Sequence, residues 1–158
     1  MKYKKFIINQ INESFRDVSA LGSFLFVCLV IILLVFIDFR SALIVLIGLI
    51  MIEAIGALVK VVFHKKRPNK QDHSNILEKI DAGSFPSIHS ARALLIGLGV
   101  YSLFSSVVMI GFVFLLVILV GISRIYLNKH YIIDVIGGYI FGFISWYITN
   151  IFINWLII

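Results

Sequence analysis

The chain has 158 residues, of which 61% are hydrophobic and only 14% charged, and its mean hydropathy is +1.06. Soluble globular domains are nearer half apolar and a quarter charged. Despite a net charge of +6, these values exclude a cytosolic enzyme, a disordered tail and a nucleic-acid module, and describe an integral membrane protein forming one domain over residues 1–158.

Residues 1–20 place Ile7, Ile11, Phe15 and Val18 at helical spacing among Lys, Asn, Gln, Glu and Arg. Such a stripe predicts an amphipathic helix, lying in the membrane interface or packed on the protein's own loops; the pattern fits both. Lys2, Lys4 and Lys5 open the chain, but the apolar stretch begins only near Leu21, after Glu13 and Asp17 and with no small-residue cleavage site. A retained anchor is expected rather than a secretory signal. A span needs about 20 apolar residues to cross roughly 30 Å of hydrocarbon. Candidates follow at residues 21–37, 41–63, from 86 or 87 to about 104, 107–122 and 132–158. Unbroken apolar runs of this kind are helices rather than barrel strands. The expected fold is an all-α polytopic bundle: a transmembrane core of five helices over residues 21–158, preceded by the interfacial helix. Cys28 stands alone in an apolar run, where a small packed thiol is expected.

With five crossings, the N-terminus, the polar stretch 64–85 and the connection 123–131 share one side of the membrane. The opposite side holds only residues 38–41, Ser105-Ser106 and the C-terminus. All polar segments of substance therefore face one way.

Three clusters on that side could do chemistry. Lys60, His64 and Arg67 share a helical face, with Pro68 ending the helix; alone, Lys60 and Arg67 read rather as cations snorkelling to lipid headgroups with Lys65 and Lys66. Pro86-Ser87-Ile88-His89 opens the third span, where free N–H groups and the helix dipole favour an anion; His89 alone could simply meet water there. Ser123-Arg124 is followed by His130 and Asp134, which lie four apart on a helix expected to begin at Asn128 or Lys129. An Asp one turn inside the membrane needs a partner, and the imidazole N–H is the natural one. The pair would orient the ring and sharpen its other nitrogen as a nucleophile, or serve only as a cap. Together the clusters supply three cations, two histidines, a carboxylate and a small hydroxyl. That inventory suits phosphoryl transfer, which depends on positioning, charge stabilisation and a proton donor. No carboxylate cluster or Cys/His array suggests a metal.

In order and spacing, K-x6-R-P at Lys60–Pro68, P-S-x-H at Pro86–His89 and S-R-x5-H-x3-D at Ser123–Asp134 resemble the three-part signature of the type 2 phosphatidic acid phosphatases. These are membrane lipid phosphate phosphatases related to bacterial acid phosphatases and vanadium haloperoxidases. The resemblance implies a metal-independent, cofactor-free phosphatase acting on a phosphorylated membrane lipid. It casts His130 as the nucleophile that becomes a phosphohistidine, Asp134 as its orienting partner, and His89 as the acid for the leaving group. Lys60, Arg67, Ser87 and Arg124, with the Ile88 backbone N–H, would bind phosphate. The family is all-helical and usually has six transmembrane helices; here residues 1–20 would stand in place of the first. It commonly has glycine where this chain has Ile88, which serves if the local backbone is ordinary helix and fails if positive φ is required. The alternative reading, a non-catalytic lipid-phosphate scaffold or transporter, rests on that residue.

Away from the signature, Glu53 and Arg92 are expected to pair between the second and third spans. Gly138 and Gly142 are expected to permit close helix packing, and His64 and His73 to be solvated loop residues. Lys2, Lys4, Lys5, Arg16, Lys65, Lys66, Lys70, Lys79 and Lys129 lie on the signature side against Arg40 on the other. The positive-inside rule then places the site toward the cytoplasm of the cell membrane.

Overall fold

The computed structural model describes residues 2–63, 65–69, 83–104 and 106–157. His64 and His73 lie outside the described residues. Among the described residues there are six helices and no strand: α1 Lys2–Ala20, α2 Phe24–Ile37, α3 Phe39–Phe63, α4 Ile88–Tyr101, α5 Val107–Tyr126 and α6 Ile132–Ile157.

α3, α5 and α6 have 25, 20 and 26 residues, hence about 30–39 Å at 1.5 Å per residue. Each is long and apolar enough to cross a membrane. α1 and α2 reach that standard only as a pair, bent by 48° at their break. The break arises because Leu21, Gly22 and Ser23 form a turn, their N–H groups donating to Val18, Ser19 and Ala20 carbonyls. The Ser23 hydroxyl then accepts from Phe26 N–H and caps α2. At 14 residues, α4 is shorter. The five expected crossings thus become three full-length helices, one bent pair and one short central helix.

α4 can be short because it is walled by protein. It packs against α3, α5 and α6 and touches α2, burying Ser90, Ala91, Ala93, Leu95 and Gly97. Close approach is possible where α6 carries no side chain. A Cβ at Gly138 would lie 2.4 Å from the Ser87 carbonyl oxygen, and one at Gly142 2.5 Å from that of Ala91. Both glycines therefore do the packing work expected of them. The core continues through Val27 and Leu34 of α2 and Val45, Leu49 and Ile52 of α3, while Phe36, Leu58, Ile132 and Trp155 face outward.

The Glu53–Arg92 pair forms, with Arg92 Nε and Nη2 each 2.7 Å from a carboxylate oxygen. The α1 stripe divides. Phe15 stacks on Tyr126 at the end of α5, 4.0 Å between centroids, and the Tyr126 hydroxyl donates to Asn12. Ile7 and Ile11 remain exposed, as an interface-facing surface requires. At the opposite end of the bundle Arg40 donates to Asn154, and Ser41 bonds Ser102.

Candidate active site

The segment from Gly83 to Ser87 holds the site together through its backbone. Ser84 N–H donates to the Lys65 carbonyl (2.8 Å), and Ser87 N–H donates to the Asp134 carbonyl (2.9 Å). Between them, the Ser84 carbonyl accepts from His130 Nδ1 at 2.7 Å. Ser84 and Ser87 are fully buried, and the Phe85–Pro86 peptide is cis. Residues distant in sequence are thereby joined by main-chain bonds.

His130 lies in the connection between α5 and α6. The helix expected from Asn128 or Lys129 begins instead at Ile132. The reason is local: Asn128 adopts φ 53°, a left-handed conformation that asparagine tolerates and that ends helices. Lys129 and His130 N–H then both donate to the Arg124 carbonyl, folding the connection over the end of α5. A carbonyl can only accept, so Nδ1 carries the proton and the Nε2 lone pair is available. Burial, reinforced by Arg124, Arg67 and Lys60, pushes the His130 imidazole down to about 3, against the opposing pull of the Ser84 carbonyl. The ring is neutral, and all three motif cations act on it. Lys129 is likewise lowered, by burial first and then by Arg124, Arg67 and Arg16.

Asp134 is fully buried. One oxygen accepts from Tyr131 N–H at 2.9 Å, the reach-back of a capping box at the start of α6. The other meets Lys65 Nζ at 2.6 Å. His130 Nδ1 is 3.9 Å from the carboxylate, so the imidazole proton is held by Ser84 while Asp134 stands within electrostatic range. Lys65 and Ser84 escaped sequence reasoning: Lys65 is one cation in a basic run, and Ser84 acts through a carbonyl that every residue possesses. Lys65 also lies over the Tyr131 ring, 4.9 Å from its centroid.

The other motif residues converge on the same end of the bundle. Lys60, in the last turn of α3, is buried beneath Gly83, where a Cβ would come 3.0 Å from its own Cβ. Arg124, also buried, donates from Nη1 to Ser19 Oγ of α1 at 2.8 Å; Ser19 is a further residue that no motif marks. Arg67 is half-buried, and His89, in the first turn of α4, is half-buried with Gly22 packed on its carbonyl. Ser87 is the N-cap of α4, its hydroxyl bonded to Ser90 Oγ at 2.9 Å rather than to a helix N–H. Ile88 is the first residue of α4 and has no positive φ. Its side chain enters the core above Gly56, where a Cβ would lie 2.4 Å from Ile88 Cδ1.

A neutral imidazole, three cations and a helix N-terminus can together hold a tetrahedral oxyanion and attack it. The profile of the PAP2 superfamily matches residues 41–158. No curated protein matches significantly by sequence. Among solved structures, the chain resembles LpxE of Aquifex aeolicus, with TM-score 0.74 and 23% identity over 89% of this chain and 85% of that one. It also resembles the first transmembrane PAP2-type phosphatidylglycerolphosphate phosphatase of Bacillus subtilis, with TM-score 0.72 and 23% identity over 90% and 76%. At this identity the two neighbours establish the fold. With the profile matched across all three motifs, the chain belongs to the PAP2 superfamily and is a membrane hydrolase of phosphoester bonds.

Proposed function

We propose that the protein removes phosphate from a membrane lipid through a phosphohistidine on His130. The observation that carries this reading is a buried, neutral imidazole whose Nδ1 proton is tied to Ser84 while Lys60, Arg67 and Arg124 surround it. In the first step His130 Nε2 attacks phosphorus and the bond to the lipid oxygen breaks. His89 gives the leaving oxygen its proton, releasing the alcohol or, where the substrate is a diphosphate, the lipid monophosphate. In the second step His89 takes a proton from water, the hydroxide attacks the phosphohistidine, and inorganic phosphate leaves with His130 restored. Lys60, Arg67 and Arg124 stabilise charge on the equatorial oxygens, as do Ser87 and the Ile88 N–H, and Asp134 stabilises the cationic ring. Ile88 lies in ordinary helix with no positive φ, the backbone in which its N–H can face phosphate, and this favours turnover over the scaffold reading.

The substrate class is phosphatidylglycerophosphate, phosphatidic acid or a polyprenyl (di)phosphate, with the site on the cytoplasmic face. The likeness to the Bacillus subtilis phosphatidylglycerolphosphate phosphatase supports the first of these. Phosphate release from a panel of these lipids in detergent with EDTA tests the proposal. Wild type should turn over at least one. His130→Ala should abolish turnover, and His89→Ala should lower it by about 10²–10⁴-fold. Silence of the wild type across the panel, or full activity of His130→Ala, would overturn it.

A further inference from the structure

We infer that the hydrocarbon chain of the lipid substrate enters an apolar cleft between α2, α4 and α5, beneath His89 and Arg124. This deepens the lipid phosphatase reading and rests on it. The cleft has a volume of about 220 Å³. On α4 it is lined by Ala93, Ile96, Gly97 and Val100, which stand four, seven, eight and eleven residues after His89 and so share its helical face. On α5 it is lined by Val113, Leu116, Val117 and Val120, the face that reaches Arg124 one turn later. Two walls of the cleft therefore run upward into the two motif residues. The third side is closed by Phe26, Val30 and Leu21 of the α1–α2 bend, and Leu21 adjoins the Gly22 that packs on the His89 carbonyl.

No lining side chain is polar, so water in the cleft would lack partners, whereas hydrocarbon exchanges one apolar environment for another. A phosphate gripped between His89 and Arg124, with its leaving oxygen at His89, would direct the attached chain along this face. A second apolar groove, between α2 and α3, is larger at about 640 Å³ but includes Glu53 in its wall. A chain lying there would cover the carboxylate that pairs with Arg92, at a desolvation cost, and it lies off the His89 face.

Two measurements on the full chain in nanodiscs test the inference. The first uses phosphatidic acid carrying a diazirine at the end of one acyl chain. After irradiation, mass spectrometry should place the label around Val100 and Val113. Label confined to Cys28 and Ile50 in the α2–α3 groove, or spread evenly over outward faces, would overturn it. The second compares dioleoyl with dihexanoyl phosphatidic acid in Ala93→Leu, which fills the cleft near His89, and in Val113→Phe at its half-buried rim. The ratio of kcat/KM for the long to the short chain should fall by about tenfold or more in a folded variant; an unchanged ratio would overturn the inference. If wild type hydrolyses neither lipid, the long- and short-chain forms of the panel lipid it does hydrolyse take their place; silence across the whole panel fails the phosphatase reading, while the labelling still decides where the chain lies.

Discussion

At the scale of single residues, the protonation of His130 follows from its surroundings. Its folded-state pKa lies near 3 against an ordinary 6.5, so on acidification the unfolded chain binds this proton before the folded one does. The resulting stability is fully present above the unfolded pKa and is lost as pH falls from there toward the folded value. Thermal melts in detergent should show a falling midpoint between about pH 7 and 5, above the range where most carboxylates titrate, and His130→Asn should flatten that slope. Asp134 makes a second case. Lys65→Gln removes a cation bonded to a fully buried carboxylate. Removing a partner from a buried pair costs about 3–5 kcal/mol, and the partial exposure of the Lys65 side chain puts this loss below that range. A lowered melting midpoint, relieved in Lys65→Gln/Asp134→Asn, would be the expected result. Motif spacing in the sequence marked Lys60, Arg67, His89, Arg124, His130 and Asp134. It did not mark Ser84 or Lys65, because a backbone acceptor leaves no side-chain signal and one lysine in a basic run looks like the next.

At the scale of elements, the N-terminus of α4 is shaped by what lies beside it. Ile88 occupies space that Gly56 of α3 leaves open, so a methyl group there must displace the isoleucine. Gly56→Ala should destabilise by about 1–3 kcal/mol through overpacking. Ile88→Ala in the same chain should recover part of that loss, read as a coupling energy in a double-mutant cycle. α1 contributes directly to the site through Ser19. Ser19→Ala removes a hydrogen bond to a charged group, worth about 1.5–3 kcal/mol, and should raise KM by roughly tenfold with a smaller change in kcat. The apolar runs located α3, α5 and α6 because hydrophobic length is a local property. The start of α6 was misplaced by a few residues, since the left-handed turn at Asn128 depends on one backbone angle that hydropathy does not register. The shortness of α4 depends on neighbours that wall it off from lipid.

At the scale of the whole molecule, the motif side chains gather at one end of the bundle, the end where α1 meets α5 and where the lysine-rich segments attach. In a Cys28→Ser background, Lys66→Cys should resist an impermeant maleimide in intact cells and react after permeabilisation, as the charge bias requires; labelling in intact cells would place the site outward. The sequence by itself determined the membrane setting, the helical architecture and the family, because hydropathy and motif spacing are written along the chain. Only the tertiary structure decided which groups touch: Ser84 rather than Asp134 holds the His130 proton, Lys65 answers Asp134, and Ser19 anchors Arg124. Hydrogen bonds act over about 3 Å, and that proximity between distant segments exists only once α1, α3, α4, α5 and α6 have packed.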